Sequence, residues 1–315
     1  MGTLGNVKAN QLVQLLILGV LWGSSYLFIK VAVDGVDPFT LVTGRLAIGT
    51  LFLYTMMRAR GLQLSRDRRL WAHILVMSLV GIIMPQILIA WSEQHVTSSV
   101  ASILNATTPF FTLIFAAAVF STERFTTGKL TGLIVGFAGI AVLTGSGILK
   151  LASSSAQGEI ALLLSSFGYG IAFAYARRFL KGEPLVLASG QMLLSAVLLV
   201  PGMLIFGHPL EMHLNASRLI CWILLGTLSS GVAYILYYKL IAEIGATSAS
   251  FGTYLIPIVG IFWGWLLLGE SVGPRTILGV VMILAGLLIA TGLRRNLRAR
   301  RLPHAAVDAP PVRPR

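Results

Sequence analysis

A guanidinium placed inside an apolar segment is the feature of this chain that most clearly could do chemistry. Arg45 lies within the apolar run Pro38–Met57, roughly 10 Å from its start at ~1.5 Å of rise per helical residue. Its planar fork of N–H donors suits a carboxylate or phosphate group on a ligand. The competing reading is structural: the side chain snorkels to the nearer headgroups or pairs with Glu93, which falls on the same side. Trp22, Gln86, Asn105, Tyr169, Tyr175, Tyr234 and Tyr254 also lie within apolar runs. Polar groups that persist in hydrocarbon generally face a cavity or a partner helix. Packing alone could account for any one of them; as a set they describe a large, weakly polar lining suited to amphipathic molecules. Tyr237 and Tyr238 fit equally an interfacial aromatic belt beside Lys239.

Acid–base chemistry has few candidates. Glu93 and His95 are the pair nearest the hydrocarbon and therefore the candidates for proton coupling, with an ordinary helix end as the alternative. The five histidines fall at the edges of runs or in loops, and no H-E-x-x-H or paired-aspartate pattern occurs, so an intramembrane enzyme is not expected. No cofactor and no metal are expected either: the single cysteine, Cys221, has neither a disulfide partner nor metal-ligand spacing around it. A channel is disfavoured because neither a TVGYG filter nor a ring of charge is present. Pro109 and Pro257 remove helical hydrogen bonds at matching places and are candidate hinges, with Pro85 and Pro201 as further bends.

The elements that must hold these residues are set by composition. Of the 315 residues 56% are hydrophobic and 11% charged, where soluble domains carry about a quarter charged residues. Runs long enough to cross a bilayer fall near Gln11–Val33, Pro38–Met57, Trp71–Ser92, Thr97–Phe120, Thr127–Ile148, Gly158–Leu180, Pro184–Phe206, Ser217–Ile241, Gly245–Leu268 and Gly273–Leu293. The first reads as a retained helix rather than a cleaved leader, since only Lys8 precedes it and no A-x-A site follows. The expectation is an all-α polytopic protein of ten transmembrane helices, with the lipid bilayer as its main partner. The net charge of +13 does not point to nucleic acid. Alternating the runs gathers most Lys and Arg on one side, leaving Lys30, Lys150, Arg218 and Arg275 on the other, so both termini are expected to be cytoplasmic. Residues 1–10 form a short N-terminal segment and 294–315 a basic, proline-rich tail with no periodicity, expected to be disordered.

Internal similarity divides the chain. With Pro109 set against Pro257, Ala101 and Ser102 meet Ala249 and Ser250; one gap later Glu123 meets Glu270, Gly132 meets Gly279 and Gly139 meets Gly286. Earlier, Asp37-Pro38 matches Glu183-Pro184, and Gly44-Arg45 matches Gly190-Gln191. Residues 11–148 and 158–293 thus read as two five-helix repeats joined by 149–157. An odd number of crossings per repeat inverts the second copy, an architecture many secondary transporters use to alternate access to a midplane site. Duplication for bundle stability alone is the rival explanation.

The residues Leu21-Trp22-Gly23-Ser24-Ser25-Tyr26-Leu27-Phe28-Ile29-Lys30, the pair Gly44-Arg45, and the series Pro109, Glu123, Gly132 and Pro257, Glu270, Gly279 resemble the EamA-type family of the drug/metabolite transporter superfamily. The resemblance implies a ten-helix carrier of the bacterial inner membrane with a central cavity, exporting small metabolites or amino acids. It also implies that the glycine-studded last helix of each repeat (Gly128, Gly132 and Gly136 in the first) supports the bundle or a homodimer. The second repeat departs from the pattern: Gln191 stands in place of Arg45, and Gly168 or Tyr169 stands near the place of Trp22. A membrane scaffold or receptor is the alternative function.

Overall fold

The computed structural model describes residues 9–144, 154–269 and 271–291. The tail 294–315, residues 1–8, most of the connector between the repeats, Lys150 and Glu270 lie outside them. Every regular element among the described residues is helical. Eight helices are long and apolar enough to cross a membrane: α1 (Asn10–Val33), α2 (Pro38–Ala59), α3 (Arg68–Ser92), α4 (Ser98–Val119), α6 (Ala156–Phe179), α7 (Pro184–Phe206), α8 (Ala216–Ile244) and α9 (Ala246–Leu267). Two further apolar helices, α5 (Thr127–Thr144) and α10 (Pro274–Thr291), complete the described bundle.

Helices dominate because a segment in hydrocarbon must satisfy its own backbone groups. Side chains close their ends. Asp37 Oδ1 accepts from Thr40 N (2.9 Å), Asp67 Oδ1 from Arg69 N (2.8 Å) and Asn215 Oδ1 from Arg218 N (2.9 Å), which caps α2, α3 and α8. Asp37 Oδ2 also accepts from His208 N at 2.9 Å. Burial pushes the Asp37 carboxyl up, but the hydrogen bonds from Thr40, His208 and Phe39 outweigh it and hold the group below its ordinary value. Carbonyls at the other termini meet cations, as the helix dipole favours. Lys30 Nζ donates to the carbonyls of Glu93 (2.5 Å) and Val96 (3.1 Å), and Arg177 Nη1 to those of Ile241 (3.0 Å) and Ala242 (2.7 Å).

The packing follows an exchange symmetry. Helix α1 packs on α8 and α9, and its counterpart α6 packs on α3 and α4, so each repeat lends its first helix to the other. Corresponding helices pair antiparallel. Phe39 at the start of α2 lies 5.4 Å from Phe206 at the end of α7. In α5 and α10, Gly128 faces Ile289 while Gly139 faces Gly279 and Met282. A Cβ on Gly286 would lie 2.4 Å from Gly132 O, so these two backbones touch without intervening side chains.

Four helices are irregular, and apart from a π-helical turn at Phe115–Val119 in α4 the irregularities come in corresponding pairs. Helix α3 carries a widened π-helical turn at Leu79–Ile83 and α8 one at Leu225–Val232. Helix α4 is interrupted after Asn105 and resumes at Thr108, with Pro109 in its new first turn. Helix α9 passes through a 3-10 stretch, Phe251–Leu255, before resuming at Ile256 with Pro257 in the same place. Proline has no N–H with which to close the bond to the preceding turn, which explains both interruptions. Pro201, in contrast, sits inside an uninterrupted α7.

Candidate functional site

The four irregular helices α3, α4, α8 and α9, with α1, α2 and α6, enclose one internal cavity. Its wall draws on both repeats: Trp22, Ser25, Tyr26 and Ile29 from α1, Arg45 from α2, Gln86 and Ile89 from α3, Asn105 from α4, Tyr169 and Phe173 from α6, Tyr234 from α8, and Thr253 and Ile256 from α9. Trp22, Arg45, Gln86, Asn105, Tyr169 and Tyr234 therefore converge as the sequence reading expects. The space is narrow in this conformation. About 30 Å³ admits the centre of a water molecule, room for roughly two waters at ~10–15 Å³ each. The expectation of a large chamber is thus corrected: the aromatic rings that would line it lean into it. Trp22 lies 6.2 Å from Phe173, 6.0 Å from Tyr234 and 5.9 Å from Tyr237, edge-on or tilted, and Phe173 meets Tyr237 at 4.8 Å. Tyr237 and Tyr238 belong to this buried cluster and not to an interfacial belt.

Arg45 is 5% exposed. Burying a guanidinium at mid-membrane costs about 2.5–3.5 kcal/mol on insertion scales, so its surroundings must offset that. Its Nε donates to Ser230 Oγ at 3.1 Å, and Tyr26, Tyr169 and Tyr234 lie within electrostatic reach. Buried and held by Ser230, Arg45 does not snorkel out of the bundle. The widened turn of α8 lies close to both α1 and α2: Ser229 Oγ donates to Leu21 O in α1 at 3.0 Å, and a Cβ on Gly226 would lie 2.5 Å from Ile48 Cβ in α2. Arg45, its Nε held by Ser230, forms part of the cavity wall.

Asn105 stands where α4 breaks. Its Nδ2 donates to Tyr26 Oη, and its Oδ1 accepts from Thr108 Oγ1 at 3.0 Å. Gln86 follows Pro85, whose missing N–H leaves Gly81 O without its helical donor. Tyr234 Oη donates to that carbonyl at 3.4 Å and accepts from Gln86 Nε2 at 3.5 Å.

Other nominated residues lie elsewhere. Tyr175 sits at the end of the bundle formed by the arginine-rich turns, where His73 Nδ1 shares a hydrogen bond with its hydroxyl at 2.8 Å and Phe179 stacks on His73 at 5.0 Å. Tyr254 stacks on Phe251 at 5.7 Å behind the cavity. Glu93 is fully buried at the end of α3, and His95 Nδ1 donates to Trp91 O at 2.9 Å. Ser25, Tyr26, Ile29, Phe173 and Ser230 were not nominated. The signal for the first three was present, because Trp22, Ser25, Tyr26 and Ile29 repeat at the spacing of one helix face. Among the described residues, no cluster of His, Cys, Asp and Glu could hold a metal ion.

At the arginine-rich end a polar contact closes the seam between the repeats. Glu123 Oε2 pairs with Lys129 Nζ at 2.5 Å, and Oε1 accepts from Thr247 N at 3.0 Å, in the first turn of α9. Gly245 precedes that turn at φ +88°, a left-handed conformation that favours glycine, and an added Cβ would stand 3.2 Å from Glu123 Oε1.

Two segments, residues 11–145 and 156–292, each match the model of the EamA-like transporter family. The chain belongs to this family. Its relatives include the Bacillus subtilis transporter YoaV, 26% identical over 86% of this chain and 93% of YoaV. A probable terminal-alkyne amino-acid exporter of Streptantibioticus cattleyicolor is 28% identical over 94% of this chain and 97% of the relative. The Escherichia coli inner membrane transporter YedA is 26% identical over 94% and 93%. A solved crystal structure superposes with a TM-score of 0.72 at 18% identity, covering 90% of this chain and 99% of that one, which fixes the fold alone. EamA membership and the apolar helices make this a multi-pass membrane protein of a transporter family, not of an enzyme family.

Proposed function

We propose that the protein is a ten-span secondary carrier, built from two inverted five-helix repeats, that exports small amphipathic metabolites bearing a carboxylate, amino acids among them. One observation carries the reading. Arg45 is a buried guanidinium with its Nε anchored, in the wall of a cavity shared by both repeats, where an anionic ligand would supply a counter-charge. The surrounding Trp22, Tyr169 and Tyr234 would cover the apolar part of such a ligand. Antiparallel pairing of corresponding helices supports inversion, and the interruptions before Pro109 and Pro257 support rocking of one repeat against the other. The amino-acid exporter among the relatives supports both cargo class and direction. YedA supports the inner membrane, and the charge bias supports cytoplasmic termini.

Counterflow in liposomes tests the reading. Saturable exchange of a labelled amphipathic carboxylate that vanishes with Arg45→Ala is the expected result. Unitary currents would indicate a channel instead, and the absence of any flux a scaffold or receptor. Comparison of internal and excreted metabolites in cells with and without the protein tests the direction: cargo should accumulate inside cells that lack it.

A further inference from the structure

Gln86 is 2% exposed and borders the cavity, and its Oε1 is a buried acceptor with no hydrogen-bond partner among the described residues. The chemistry of its neighbours fixes which end of the amide is which. Gly81 O can only accept, so the Tyr234 hydroxyl at 3.4 Å must donate to it. The hydroxyl then offers a lone pair to Gln86, 3.5 Å away, which must present its N–H₂ end. The relay runs from Pro85, which frees the carbonyl, through Tyr234 to Gln86, and it leaves Oε1 as the unmatched atom. Buried polar groups without partners are rare and costly, about 1–3 kcal/mol each. Arg45, a cation rich in N–H donors, and Gln86, which carries this acceptor, both belong to the wall of one cavity.

We propose that Gln86 is a specificity-determining residue: its Oε1 accepts a hydrogen bond from an N–H donor carried beside the ligand's carboxylate, so the cavity prefers zwitterionic amino acids to carboxylic acids of the same shape. The inference rests on the carboxylate reading of Arg45. A site built around a buried polar atom rejects the analogue that leaves that atom unpaired.

The test compares three probes of matched carbon skeleton by calorimetric titration into the full chain in nanodiscs: leucine, 4-methylpentanoate, which lacks the ammonium group, and 3-methylbutylamine, which lacks the carboxylate. Leucine should bind at least about tenfold more tightly than 4-methylpentanoate, the scale of a charge-assisted hydrogen bond, and the amine most weakly. Gln86→Met, which keeps length and volume but removes the acceptor, should bring the ratio of leucine to 4-methylpentanoate affinity close to one. Tyr234→Phe, which removes the hydroxyl that orients the amide, should lower the same ratio and decides the matter if Gln86→Met binds neither acid. Equal binding of the two acids by the unaltered protein, or a ratio that neither substitution moves, overturns the role of Gln86 and leaves the carboxylate reading standing. Preference for the amine, or binding of none of the three, overturns that reading and this inference with it.

Discussion

Arg45 and Gln191 occupy corresponding places in the two repeats, and both dock onto a widened helical turn of the opposite repeat. Arg45 meets Ser230 in the turn of α8. Gln191 Nε2 donates to Met77 O at 2.8 Å, its Oε1 accepts from Tyr238 Oη, and its backbone oxygen accepts from Ser78 Oγ at 3.3 Å, just ahead of the turn of α3. The second repeat thus uses a neutral side chain whose donor and acceptor are both engaged inside the protein. The first repeat uses a charged one that keeps donors in reserve. On the proposed carrier reading, the charged ligand contact comes from one repeat while the paired helices remain alike in both.

The comparison can be broken most forcefully at the two residues themselves. Arg45→Ala should reduce counterflow per inserted molecule by at least about tenfold, the loss of one charge-assisted hydrogen bond, while leaving insertion intact. Gln191→Ala should do the reverse: it orphans Met77 O and the Tyr238 hydroxyl, at about 1–3 kcal/mol for each unsatisfied group, so thermal unfolding in detergent should shift down while flux per folded molecule changes little. Equal effects of both substitutions on flux would erase the asymmetry.

The seal at the arginine-rich end comes next. Glu123→Gln leaves Lys129, only 2% exposed, without its counter-charge and weakens the grip on the first turn of α9. In a Cys221→Ser background, a thiol introduced by Ser25→Cys should then react faster with a reagent supplied on that side. Unchanged reactivity would mean that Glu123 holds the turns together without gating. A smaller effect is expected at the interruptions. Pro109→Ala and Pro257→Ala restore a backbone donor, and each should slow counterflow a few-fold without lowering stability. Similar slowing in both would point to symmetric rocking, and a marked difference to one moving repeat.

The smallest expected effect concerns Asp37, whose folded-state pKa is lowered. Its contribution to stability is present above the unfolded value of about 3.9 and lost as pH falls through its lowered folded value. Thermal unfolding followed from pH 6 downward should show a shallower decline in Asp37→Asn than in the unaltered protein. Glu183, the corresponding residue, makes no side-chain cap to its helix.

Much of this was legible in the amino-acid sequence because lipid imposes blunt rules. Long apolar runs announced the helices, and paired motifs such as Asp37-Pro38 with Glu183-Pro184 announced the duplication. The cavity was readable wherever a polar or aromatic residue stood against an apolar background, as with Gln86 and Asn105. What stayed hidden was rotation about each helix axis. Tyr254 lies in a 3-10 stretch whose pitch carries its ring behind the cavity, and Tyr175 is drawn away by His73. Nothing in the residue order distinguishes a widened turn at Leu225–Val232 from a regular one, so the approach of Ser230 to Arg45, which settles between snorkelling and anchoring, could not be anticipated.

The loan of α1 and α6 to opposite repeats bears on biogenesis. When the ribosome has finished the first five helices, the faces of α1 destined for α8 and α9 have nothing to rest on, and Gly23 must wait for Val259. Neither repeat can mature as a separate unit, and the nascent chain holds an unfinished seam until its ninth helix is delivered.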